Sequence, residues 1–217
     1  NYGVEAQETE TGFEKALQTN LDIIRLSATN PGVKTLCVKI TGFGRFDLFE
    51  KKQAGATLTA SEQKDYEAGK ARLDQLCAEA VKAHISLFLD AEETWIQDEL
   101  DSLATDMMRK YNTEQAWIFN TCQLYRCDRL AFLRDQTALA KKEGFKLGMK
   151  LVRGAYVEKE RERAASMGYE DPIHPHKEAV DFDFNEGVKW CLENLEDVSF
   201  CLASHNELSC AMAATEI

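Results

Sequence analysis

The sequence predicts an α/β fold, a (β/α)8 TIM-like barrel truncated after about six strands. Three observations lead there. Apolar runs of strand length alternate with amphipathic helical patterns along the whole chain, as parallel strands joined by crossover helices require. Polar groups stand at the carboxyl end of nearly every run. A barrel gathers all those ends on one face, whereas a doubly wound open sheet concentrates its ligand contacts at one switch point. The 217 residues also fall short of the ~250 typical of eight strand–helix units, so the last two strands and the final helix are expected to be missing.

The elements follow in order. Tyr2-Gly3-Val4-Glu5 reads as the remnant of a first strand. Residues 11–28 form an amphipathic helix that ends at Asn30-Pro31-Gly32, and 36–40 form the next strand, followed by Thr41. Residues 43–61 read as a long inserted segment. A helix over 63–83 has a capping residue at Thr59 or Ser61. Strand 85–89 ends in Asp90, Glu92 and Glu93, and Trp95, Leu100, Leu103 and Met107 give 94–109 a helical stripe. Strand 116–119 runs toward Thr121 and Gln123. Helix 125–143 stops at Gly144, a residue suited to the left-handed C-terminal position. Strand 147–152 leads into a charged helix around 158–163. Helix 176–193 precedes strand 198–202, with Ser204, His205 and Asn206 after it. No linker, repeat or low-complexity segment interrupts the alternation, so residues 1–217 are read as one domain, incomplete at its C-terminus.

Composition narrows the function. With 44% hydrophobic and 29% charged residues, the chain has the make-up of a soluble globular protein. A net charge of −11 argues against nucleic acid as a partner, because its phosphates would be repelled. No apolar stretch approaches the ~20 residues that span a bilayer. The opening Asn1 marks an excised or processed chain. Seven cysteines without a Cys-x-x-Cys pair read as reduced thiols rather than as bridges or a zinc site.

Several polar residues have two readings. Gly42-Phe43-Gly44 begins like a nucleotide loop, but Asp47 stands where the third glycine belongs. His174-Pro175-His176 has the spacing of metal ligands, yet the prolines point to a surface loop. Asp90 reads equally as a helix cap or as a site residue. Lys39 lies within an apolar strand, where a lone ammonium is costly without a partner. Asp90 stands at the matching depth one strand later.

Five blocks in order, "VKIT", "LFLDAEE", "NTCQ", "KLVRGAYVEKER" and "ASHNE", resemble the proline dehydrogenase family of flavoenzymes, from Tyr2 to Glu207. The resemblance implies a distorted (β/α)8 barrel holding FAD at its carboxyl face. It implies oxidation of L-proline to Δ1-pyrroline-5-carboxylate, the first step of proline catabolism to glutamate, with electrons passing to a quinone. By the same resemblance Ala91, Gln123, Lys150, Arg153, Gly154, Ala155, Ser204 and His205 contact FAD. Lys39 and Tyr156 meet the substrate, and Asp90 and Lys150 serve the chemistry. No Rossmann loop is present, so strand-end cations and backbone N–H groups around Gly154 and Ala155 would hold the pyrophosphate. For Arg153 the competing expectation is an ion pair with Glu158 or Glu160 of the following helix.

Two departures stand out. The family's "NTYQ" is Asn120-Thr121-Cys122-Gln123 here, and Lys150 stands where many members carry arginine. The adjacent arginines with which the family grips the substrate carboxylate would lie on the missing helix. Peripheral association with a bacterial inner membrane from the cytoplasm is the expected location, the mitochondrial matrix the alternative. A metal-dependent barrel lyase or hydrolase using His174, His176 and Asp90, and a non-catalytic docking barrel, are the competing functions.

Overall fold

The computed structural model describes residues 7–30 and 32–216. Among them are five strands and eight α-helices, besides a short 3-10 helix at Ile40–Gly42: α1 (Glu10–Ala28), β1 (Thr35–Lys39), α2 (Phe46–Gln53), α3 (Ala60–Lys82), β2 (Ser86–Asp90), α4 (Thr94–Tyr111), β3 (Ile118–Gln123), α5 (Arg129–Glu143), β4 (Leu147–Val152), α6 (Val157–Met167), α7 (Lys177–Glu193), β5 (Val198–Ala203) and α8 (Glu207–Glu216). The strand expected at Tyr2–Glu5 lies outside the described residues. Strand order is β1-β2-β3-β4-β5, and β1 with β2, β2 with β3, and β4 with β5 run parallel. Neighbours in sequence are thus neighbours in the sheet. A doubly wound sheet reverses direction partway, so that alternative is rejected, and the order is the one a (β/α)8 fold uses.

The chain divides into two compact units, residues 1–112 with 116–120 and residues 113–115 with 121–217. In the first, Leu36 and Val38 of β1 are buried while Cys37 and Lys39, on the opposite face, are partly exposed. Leu73, Leu76, Leu87, Ile96 and Leu100 are at most 1% exposed and form its core. Helix α3 starts at a capping box: the Thr59 hydroxyl accepts from the Glu62 N–H, and the Glu62 carboxylate accepts from the Thr59 N–H. That settles the cap on Thr59 rather than Ser61. The segment read as an insertion contains α2, which buries only Leu48 and Phe49. Two apolar contacts in eight residues are too few to give a visible helical stripe.

In the second unit, Leu133, Leu147, Met149, Leu151, Phe184 and Val188 are fully buried. Helix α5 ends at Gly144 in the left-handed region, φ 79°, as the sequence predicts. It begins at Arg129, not at residue 125. Tyr125–Cys127 instead pair with the 172–174 segment: the Cys127 N–H donates to the Pro172 carbonyl and the His174 N–H to the Tyr125 carbonyl, both at 2.9 Å. Strand β3 runs on to Gln123 and is buried at all six positions. Its polar half broke the apolar run in the sequence, but each unit supplies partners for it. Asn120 donates to Asp101 in the first, and Gln123 donates to Tyr125 in the second.

Candidate active site

The first unit brings two predicted residues together. Lys39 and Asp90 are register partners at the carboxyl ends of β1 and β2. Parallel neighbours in register point their side chains to one face, about 4.8 Å apart at the backbone, so the Lys39 and Asp90 side chains leave the sheet on the same side. Asp90 does not cap α4, whose N-cap is Glu93. Ala91, 8% exposed, follows.

The same strand ends carry a polar chain that the sequence did not reveal. Glu92 is 4% exposed and takes two hydrogen bonds from Thr41, one from its N–H at 3.2 Å and one from its hydroxyl at 2.6 Å. The Glu92 N–H donates to Gln97 Oε1 at 2.6 Å, Gln97 Nε2 donates to Asp101 Oδ1, and Asn120 Nδ2 donates to the same oxygen, the last two at 2.8 Å. All five residues are at most 5% exposed. The chain ties the ends of β1 and β2, helix α4 and β3 into one buried network, and such networks fix geometry when every member is satisfied. Burial pushes the Glu92 carboxyl up to about 7, against the Thr41 hydrogen bonds and the Lys39 charge. A carboxylate two positions beyond Asp90 was its one visible signal.

The second unit holds the block that ends β4. Lys150 is the register partner of Cys201 on β5. Burial raises the pKa of the Cys201 thiol, and the Lys150 charge partly offsets that rise. Arg153 does not pair with Glu158 or Glu160. Its Nη1 bonds Asp181 of α7, Nη2 donates to Ser209 Oγ at 2.6 Å, and the guanidinium lies over the Phe184 ring, 3.6 Å from the centroid. Its Nε is buried without a hydrogen-bond partner. The Lys177 and Arg153 cations hold the Asp181 carboxyl below the usual carboxylate range.

Gly154 is exposed at φ 81°, and a Cβ there would meet nothing within 4 Å. The left-handed backbone selects glycine at this position, and the space in front of it is open. Ala155 is exposed as well, and Tyr156 is the N-cap of α6. Beside them lies a cavity of about 340 Å³. Tyr125, Arg153, Gly154, Arg161, His174 and Lys177 contribute to its wall, and Asp181 is the one carboxylate against those three cations. The sequence reading missed Arg161 and Lys177 as members of this wall. Both were hidden in stretches read as helices, a charged one around 158–163 and the one over 176–193.

Gln123 is 1% exposed, with Nε2 donating to the Tyr125 hydroxyl at 2.8 Å and Oε1 accepting from Arg126 at 3.4 Å. Burial pushes the Tyr125 phenol up to about 12, opposed by hydrogen bonds from the Tyr156 backbone and the Gln123 amide. Ser204 Oγ accepts from the Asn206 N–H at 3.1 Å, and His205 is exposed. The strand ends thus supply cations, amide groups and an open glycine, a donor set suited to an anionic ligand with a hydrogen-bonding ring.

Comparison with known proteins adds the family. The proline dehydrogenase family model matches residues 1–217. The human mitochondrial proline dehydrogenase 1 is 41% identical over 139 residues, 63% of this chain and 23% of that protein. The carbapenem antibiotics biosynthesis protein CarD of Pectobacterium carotovorum is 29% identical over 212 residues, 98% of this chain and 55% of that protein. Among solved structures, proline utilization A of Bdellovibrio bacteriovorus, inactivated by N-propargylglycine, superposes with a TM-score of 0.84 at 18% identity, over 98% of this chain and 23% of that one.

Proposed function

The chain belongs to the proline dehydrogenase family, and from that premise we propose that it oxidises L-proline to Δ1-pyrroline-5-carboxylate with FAD and delivers the electrons to a quinone. Residues 1–217 are then part of one catalytic barrel domain. The observation that carries the reading is the end of β4, where Arg153 and the open, left-handed Gly154 border a cavity with three cations. Three features there fit FAD: the space a side chain at residue 154 would fill, the buried Nε of Arg153 that lacks a partner, and the positive wall. A cavity of about 340 Å³ has room for part of a dinucleotide.

When bound, FAD supplies the hydride acceptor; the protein's part is to position and polarise. Lys39 holds the substrate carboxylate, and Asp90, its register partner, orients the ammonium. Lys150 places a positive charge where the cofactor takes up electrons. Gln123 offers an amide with both donor and acceptor to the ring edge, Ser204 and His205 offer further donors, and Ala91, at the end of β2, is a further cofactor contact. Arg153, Gly154 and Ala155 receive the pyrophosphate through the guanidinium and backbone N–H groups. Tyr156 forms an aromatic wall for the substrate ring.

Bacterial cytoplasm, at the face of the inner membrane that holds the quinone, is the proposed location; the mitochondrial matrix is the alternative, and the human relative's name supports it. No helix among the described residues is long and apolar enough to cross a membrane. The test is a spectrum of the purified full-length protein. Flavin absorbance that bleaches on addition of L-proline is the expected result. Bound zinc without flavin would point to the lyase or hydrolase reading, and neither group to a docking domain.

A further inference from the structure

At His174, which also contributes to the cavity wall, three side chains of the second unit stand in line. Cys127 Sγ lies 3.6 Å from His174 Nδ1, and His174 Nε2 lies 2.7 Å from Asp183 Oδ2. The backbone pairing of residues 125–127 with 172–174 fixes the first contact, through the two hydrogen bonds already described and the antiparallel bridge between Arg126 and Ile173. The second is fixed by α7, which carries Asp183. His174 and Asp183 side chains are each 14% exposed, whereas Cys127 is the one exposed cysteine among the described residues.

The chemistry follows from the order of the groups. A carboxylate on one ring nitrogen keeps the proton there and leaves the lone pair of the other nitrogen for its neighbour. Asp183 therefore selects the tautomer with hydrogen on Nε2, and Nδ1 faces the thiol as an acceptor. A nucleophile, a base within reach and a third group that orients the base are the parts of an activated nucleophile. The surrounding charges are otherwise matched, Asp128 by Arg126 and Asp171 by Arg161. Burial, then Asp128, Asp171 and Asp183, raise the pKa of the Cys127 thiol. The resting thiol thus keeps its proton, and reaction requires transfer of that proton to His174 Nδ1, 3.6 Å away, in the same step.

We infer that Cys127 is a nucleophilic thiol, with His174 as its general base and Asp183 as the group that orients the base, and that it exchanges with small uncharged disulfides to form a mixed disulfide. In the step Cys127 Sγ attacks one sulfur of the disulfide, and its proton passes to His174 Nδ1. The disulfide's own S–S bond breaks, and the departing thiolate takes the proton from His174. Cys127 sulfur is oxidised and the departing sulfur is reduced, with no other reactant.

The test uses bis(2-hydroxyethyl) disulfide and full-length protein near neutral pH, with the modified cysteine identified by peptide mass spectrometry. Cys127 of the native protein should react faster than Cys127 of the same chain unfolded in urea. Removing a positioned base typically costs 10²–10⁴-fold, so H174Q should slow Cys127 by at least about tenfold, and D183N should fall between it and the parent. Native Cys127 reacting no faster than in the unfolded chain would overturn the inference without recourse to any variant. So would an H174Q rate within about threefold of the parent in a variant whose melting temperature is unchanged. Both readouts are rates of Cys127 modification taken without L-proline, so failure of the proposed activity and failure of this inference are scored separately.

Discussion

Arg153 and Asp181 form an ion pair that ties the end of β4 to α7, with the Arg153 guanidinium stacked on Phe184. Their side chains are 14% and 27% exposed, so the guanidinium is held by its surroundings before any ligand arrives. Holding a cation in place in this way reduces the ordering cost of gripping a phosphate.

R153E puts an anion beside Asp181 and in front of the proposed pyrophosphate. The expected outcome is mostly apoprotein, read as the flavin-to-protein ratio after gel filtration of the full-length enzyme. Loss of the pair should also cost about 1–3 kcal/mol of stability, discounted from the fully buried case because the pair is partly exposed. R153K keeps the charge without the bidentate fork and should keep more flavin. Full flavin occupancy in R153E would leave the arginine with a structural role only.

D90A separates the two readings that the sequence left open. With Glu93 as the N-cap of α4, loss of Asp90 removes no cap, and the expected effect falls on turnover. A lost positioning interaction in such a site costs roughly 10²-fold, with flavin content nearly intact. Turnover within about threefold of the parent would remove Asp90 from the proposed site.

What the sequence disclosed and what it hid divide along physical lines. Strands β1, β2, β4 and β5 were legible because each is a compact apolar run. Gly144 and Thr59 were legible because caps depend on residues within one turn. Strand β3 was cut short because its second half is polar, and only a folded neighbour such as Asp101 or Tyr125 makes Asn120 and Gln123 acceptable inside. Arg153 lies 28 residues from Asp181, and Thr41 lies 51 from Glu92. Contacts at such separations leave no local pattern. The block "KLVRGAYVEKER" named the family but not the partner of its arginine.

T59A should cost about 1 kcal/mol, the usual effect of removing a threonine N-cap, because the hydroxyl accepts from the Glu62 N–H. Thr59 is exposed, so no packing is lost with it. Denaturant unfolding of the parent and the variant provides the number. A difference below about 0.3 kcal/mol would mean that the capping box adds little to α3.

Glu92 makes stability depend on pH in a direction opposite to that of paired surface carboxylates. Its carboxyl is raised from 4.5 to about 7, first by burial. Below 4.5 both folded and unfolded chains hold the proton. Between 4.5 and about 7 the folded chain still holds it while the unfolded chain has released it, so stability falls as pH rises through this window and is flat above it. Asp74 and Asp181, with lowered pKa values, lose stability in the other direction, as pH drops through the acid range. The comparison with E92Q isolates Glu92 from them. Parent-minus-variant stability should decrease by on the order of 2–3 kcal/mol between about pH 4.5 and about pH 8. An unchanged difference across that range would mean that Glu92 is ionised throughout, and that the Thr41 hydrogen bonds and the Lys39 charge outweigh its burial.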